Sequence, residues 1–229
     1  MSSVTVGVRV IVVLTGSLLM AGSSAATTVF YGPLPYLSAA DSPFAVATIE
    51  DFTDGLLNVP GTSISGGTAA LSCLDCDSVD GDDGLIDGNG NDGGSWYSNG
   101  ETSLTITFDP VALGGLPTQA GVVWTDVGFG GGFFANVTFE VFGPGGISLG
   151  TIGPIVLGDG LGQGQTGEDR FFGIFNSTGI SHIRIVTDNG DWEIDHIQYG
   201  FGEPVPEPSV FGLFGLATAA VGILRRRRL

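Results

Sequence analysis

Short runs in which every second residue is apolar, each closed by Gly, Pro, Asn or Asp, recur through residues 27–203. In Thr102 to Phe108, Leu104, Ile106 and Phe108 project to one side and Ser103, Thr105 and Thr107 to the other, the pattern of a strand with one buried face. The same reading applies to Ala45 to Phe52, Gly121 to Asp126, Asn136 to Phe142, Arg170 to Phe175, His182 to Thr187 and Trp192 to Tyr199. No segment of this region carries a convincing amphipathic helix. Gly143-Pro144-Gly145-Gly146 predicts a hairpin turn between two such runs, and Asp188-Asn189-Gly190-Asp191 predicts another, its Asn-Gly supplying positive φ angles. Strands of this kind, about eight to ten, pack most readily as two antiparallel sheets, so the expected fold is all-β, an antiparallel β-sandwich of jelly-roll type. The glycine-rich residues 72–100 and 153–167 are expected as loops on its rim.

Composition agrees with a folded domain. Forty glycines and 11 prolines supply turns while 15 phenylalanines supply bulk to bury, and disorder would show few aromatics. The 229 residues divide into 1–26, 27–203 and 204–229, of which only the middle part is long enough to build a core. All 24 acidic residues fall between Asp41 and Glu207, against Arg170 and Arg184, which leaves a formal charge of −22 over that stretch. Such a surface repels phosphate backbones and excludes nucleic acid as a natural partner. It favours divalent cations, Ca²⁺ foremost.

Both ends read as addresses. Residues 1–26 have Arg9, an apolar run from Val10 to Met20 and small residues up to Ala26, the pattern of a signal peptide removed by signal peptidase. The other end reads Pro204-Val205-Pro206-Glu207-Pro208-Ser209, then an apolar run from Val210 to Leu224, then Arg225, Arg226, Arg227 and Arg228 before Leu229. Proline cannot continue a helix, so the first segment separates the domain from the tail. The apolar run could insert as a transmembrane helix, with the arginines held on the cytoplasmic side. Proline-glutamate-proline, apolar helix and terminal arginines in this order resemble the PEP-CTERM sorting signal. That resemblance implies transient insertion in the membrane of a Gram-negative bacterium, cleavage by an exosortase-type protease, and delivery to the cell surface or extracellular matrix. A permanent tail anchor would insert in the same way without cleavage. The middle region also resembles a recurrent cargo domain of such proteins, through Asp77 to Gly88, Glu168 to Gly173 and Trp192 to Gly200, which implies the exported context and not a reaction.

Metal ligation is the chemistry the acidic residues suggest. Asp75, Asp77, Asp80, Asp82, Asp83, Asp87 and Asp92 alternate with glycines at 81, 84, 88, 90, 93 and 94, and hard oxygens on a tightly turning loop suit Ca²⁺. An EF-hand is excluded, because the glycine after Asp87, Asn89 and Asn91 falls at 93 instead of 92 and no Glu closes the loop. Asp80, Asp82, Asp83 and Asp87 are the loop ligands expected. A second expected site pairs Glu50 or Asp51, near the first strand, with Asp195 on the last, where converging carboxylates would need a cation. The alternative at each position is a solvated acid.

Cys73 and Cys76 have redox-motif spacing, but Asp75 and Asp77 disfavour a thiolate, so an oxidising exterior predicts a local disulfide. Trp96 and Tyr97 are the aromatics expected to be exposed and to stack on a sugar, whereas Trp124 and Trp192 lie in strands and read as core. His182 and His196 sit on strands beside residues that alternate to the opposite face, and no pair of acids stands out for glycoside hydrolysis. The functional expectation is an exported, non-enzymatic, Ca²⁺-stabilised surface or matrix protein that binds extracellular polysaccharide. A purely structural protein without a ligand and a secreted glycoside hydrolase are the alternatives.

Overall fold

The computed structural model describes residues 26–45, 47–71, 77–90, 93–128, 132–162 and 164–202. Residues 1–25 of the signal segment, both cysteines and the sorting tail lie outside the described residues. What is described is all-β, with two antiparallel sheets. The first sheet contains β1 (Thr28–Pro35), β2 (Thr48–Glu50), β4 (Thr68–Leu71), β5 (Gly94–Tyr97), β7 (Gln119–Val127), β10 (Arg170–Asn176) and β12 (Trp192–Gly200). Its order is β1-β10-β7-β12-β5-β4, with β2 also paired to β12. The second contains β3 (Thr62–Ser65), β6 (Ser103–Phe108), β8 (Ala135–Phe142), β9 (Ser148–Leu157) and β11 (His182–Thr187), in the order β3-β6-β11-β8-β9. From β6 onward the chain changes sheet at nearly every connection, and β8 to β9 is the exception.

The sheets face each other across one apolar layer. Leu104, Ile106, Val137, Phe139, Ile183 and Ile185 from the second sheet meet Val122, Trp124, Phe172, Ile174, Trp192 and Ile194 from the first. Phe139 stacks on Phe172 with ring centroids 5.7 Å apart, and Trp124 stacks on Trp192 at 4.9 Å. Each such side chain removed from water contributes about 1.5 to 3 kcal/mol, so this layer is the main source of stability. Alternation predicted it, because the apolar half of each run is the half that faces inward. Both tryptophans read as core are buried.

Three expectations change. Gly143 to Gly146 does join a hairpin, β8 to β9, but β9 continues to Leu157 past an irregularity in its pairing between Val137 and Phe139. Asp188 to Asp191 joins no hairpin: β11 and β12 lie in opposite sheets, and the turn carries the chain across the layer. Gly190 is bonded there to the 98–101 segment, its carbonyl accepting the Gly100 N–H and the Ser98 hydroxyl. Opposed strands and hairpin partners both present an apolar face to the same core, so alternation alone cannot distinguish them. Within the expected loop 72–100, Gly94–Tyr97 forms a strand on β12 and β4.

Candidate metal centre

The outer face of the seven-stranded sheet is where the acidic residues gather. Residues 36–45 and 77–90 fold over it, and Tyr36, Phe44 and Val79 pack on Val123 and Phe171 as a second, small core. Tyr36 stacks on Phe171 at 5.8 Å. Covering this face buries every residue of β7 and β12, including Asp126, Glu193, Asp195 and His196. An acidic loop is therefore packed on an acidic sheet.

Backbone donors hold part of it in place. Glu193 accepts the Asp77 N–H at 2.9 Å and the Ser95 hydroxyl, while Asp195 accepts the Val79 N–H at 2.9 Å. Thr125 donates its hydroxyl to the Asp77 carbonyl at 3.0 Å. Gly90 closes the loop by accepting from Ser78 N–H at 2.7 Å, and it donates to the Gly164 carbonyl at 2.9 Å. A Cβ on Gly90 would lie 2.1 Å from Asp77 Oδ1 and 2.2 Å from the Ser78 carbonyl, so only glycine lets the loop double back here.

Two groups of side chains remain inside. In the first, one carboxylate oxygen each of Asp77, Asp126 and Glu168 lie within 4.8 Å of one another, and all three residues are buried. In the second, Asp82, Asp195 and His196 converge likewise. His196 Nε2 lies 2.7 Å from Asp82 Oδ1, and its Nδ1 lies 3.0 Å from the Tyr36 hydroxyl. The ring is aimed by a break in β12: the register with β7 shifts between Asp195 and Gln198, and His196 has φ +42°. A non-glycine residue in that region is strained and persists where its surroundings enforce it.

Burial governs the protonation of these groups. It pushes Asp126 up to about 6, Glu193 up to about 7 and Glu168 up to about 10, the last also raised by the Asp126 carboxylate. Asp77 and Asp169 are held well above the usual carboxylate range, first by burial, then by neighbouring acids: Asp169 for the one and Asp80 for the other. Asp195 is raised by burial and by Asp82. Arg170 follows Asp169 in the chain, but its guanidinium donates to the Asp169 and Gly167 carbonyls, at 2.7 and 2.9 Å.

Of the expected ligands, the structure brings Asp82 and Asp195 together and turns Asp80 inward, where it accepts the Asp87 and Gly88 N–H groups. Asp83 and Asp87 face solvent and close local turns, accepting the N–H groups of Leu85 and Asn89. Glu50 does not join Asp195. Its carboxylate accepts the N–H groups of Phe52, Asn58 and Val59, three donors that satisfy it within its own loop, and Asp51 caps Thr53. Trp96 and Tyr97 form no shared platform, since neighbours on a strand point to opposite faces. Trp96 packs on Phe52 at 5.7 Å and donates to the Gly66 carbonyl, whereas Tyr97 hydrogen-bonds Asp191.

Asp126, Glu168, Asp169 and Glu193 were not singled out by the sequence. A signal was present: Asp126 ends an apolar run, and Glu193 and Asp195 alternate with Trp192 and Ile194. Period two is read as a solvated face, and here that face is covered.

Residues 204–228 match the family model of the PEP-CTERM protein-sorting motif. A signal of this type marks an exported protein that is processed by an exosortase, a membrane protease, and delivered to the cell surface or the extracellular space. No curated protein and no solved structure matches the chain.

Proposed function

We propose that the domain exported under this sorting signal is a non-enzymatic surface or matrix module of a Gram-negative bacterium, stabilised by Ca²⁺. The observation that carries the reading is the acidic loop 77–90 packed on the acidic outer face of β7 and β12, where buried carboxylates outnumber their donors. Like charges out of water repel strongly unless protons or a cation neutralise them. The same burial argues against hydrolysis. Asp77, Asp126, Glu168 and Asp169 are each no more than 4% exposed, which keeps a polymeric substrate from reaching them. The strand order, with β2-β12-β7-β10 facing β6-β11-β8-β9, supports a jelly-roll reading of the sandwich. A polysaccharide partner would be held through cation bridges to exposed acids such as Asp83 and Asp87, in place of ring stacking on Trp96 and Tyr97.

Thermal unfolding of the exported protein tests this directly. Millimolar CaCl2 should raise the Tm by about 5 to 10 °C over NaCl of equal ionic strength, as expected for a cation at about one hundred times its Kd. Equal Tm values in the two salts would refute the calcium reading. The tail makes a separate prediction. Intact-mass measurement of the envelope protein should find Arg225 to Arg228 removed and an N-terminus near Thr27, and recovery of the full-length chain would refute processing.

A further inference from the structure

We infer that Asp77, Asp126 and Glu168, with Asp169 beside them, form a Ca²⁺ site that fastens residues 77–90 and 166–169 to the end of β7. The inference rests on the calcium reading above and gives it an address. Both oxygens of Asp77, both of Asp169, Oδ1 of Asp126 and Oε2 of Glu168 are buried without a hydrogen-bond partner. A buried carboxylate oxygen without a donor costs free energy, and native interiors contain few. One shared proton between Asp126 and Glu168 would satisfy that pair and leave the four oxygens of Asp77 and Asp169 unmatched.

A cation between Asp77, Asp126 and Glu168, which bring one oxygen each within 4.8 Å of the others, answers their shared charge at once. Ca²⁺ is the cation that hard carboxylate oxygens suit, and the set offers no nitrogen or sulfur that would favour zinc or copper. The ligands also come from three places in the chain, so closing the site orders the loops that carry them. Asp77 opens the loop that ends at Gly90, Asp126 lies near the end of β7, and Glu168 belongs to the short 3₁₀ turn Thr166–Glu168 just before β10. Gly90 N–H already ties the first of these loops to Gly164 in the third. The other cluster is met in part from within, since His196 Nε2 lies 2.7 Å from Asp82 Oδ1 and Asp195 accepts the Val79 N–H, which leaves Asp82 Oδ2 as its one orphaned carboxylate oxygen.

Calorimetric titration of the exported protein, stripped with chelator, provides the test. CaCl2 should bind with a definite stoichiometry and in preference to MgCl2, whose small octahedral shell fits a many-carboxylate cage poorly. The double variant Asp126→Asn, Glu168→Gln should lose Ca²⁺ affinity by at least a hundredfold, while Glu140→Gln, which removes an acid paired with Arg184 on the other sheet, should titrate as the parent does. In chelator the double variant should melt no lower than the parent, since amides replace two crowded acids without the like charge that one of them carries near neutral pH, and this excludes misfolding as the cause of lost binding. If the parent binds Ca²⁺ and the double variant binds it equally well, this site is wrong and the calcium reading stands. If the parent does not bind Ca²⁺, both fail. Equal affinity for Mg²⁺ would overturn the assignment to calcium.

Discussion

With divalent cations chelated, the domain should lose stability by several kcal/mol as pH rises from about 5 to about 8, and with saturating Ca²⁺ it should lose clearly less. The sign follows from proton counting. Asp126, pushed up to about 6, and Glu193, pushed up to about 7, hold protons in the folded chain at pH values where the unfolded chain, with pKa values near 4, has released them. Stability falls with pH wherever the folded state binds more protons, so what these groups permit at pH 4 is lost as pH passes 6 and 7. Each shift of two to three units corresponds to about 3 kcal/mol. Glu168, up to about 10, extends the loss to higher pH. Ca²⁺ binds only the ionised carboxylates, so its stabilising effect should grow over the same interval. Urea unfolding at pH 5, 6, 7 and 8, with chelator and with CaCl2, should give diverging lines. Parallel lines, or apo stability that rises toward pH 8, would show that the buried acids are neutralised in another way.

Trp192→Ala should reduce the unfolding free energy by about 3 to 5 kcal/mol, among the largest losses available to one substitution in this protein. The indole is fully buried, lies 4.9 Å from Trp124 at an interplanar angle of 7°, and donates to the Glu101 carbonyl at 2.9 Å. Alanine would leave a cavity beside Trp124 and an unmatched carbonyl in the 98–101 turn. Phe should recover most of the packing and lose about 1 kcal/mol for the hydrogen bond. The ring lies on the core side of β12 and the acids lie on the other, so the Tm increment from Ca²⁺ should survive in both variants. An unfolding free energy from urea for Trp192→Ala within about 1 kcal/mol of the parent would mean that the layer between the sheets repacks. Loss of the Ca²⁺ increment would mean that the two faces of β12 are coupled.

By itself, the sequence determined the class of fold, the inward half of most strands and the address at residues 204–228, because each is written in local order. Alternation over Ser103–Phe108 or His182–Thr187 depends on neighbours within the strand, and a proline-glutamate-proline segment before an apolar run and four arginines is a linear signal. It also marked Asp80, Asp82 and Asp195 as metal candidates, though it paired Asp195 with Glu50. Tertiary structure alone decided which acids meet. Glu50 found three backbone donors in its own loop, while Asp195 met Asp82 and His196 at a break in β12 that no local pattern announces. Asp77, Asp126 and Glu168 lie far apart in the chain and converge because residues 77–90 cover the outer face of a sheet whose polar alternation resembles a wet surface. Period two reports that a strand has two unlike faces. Whether the polar face meets water or another part of the chain depends on where distant loops pack.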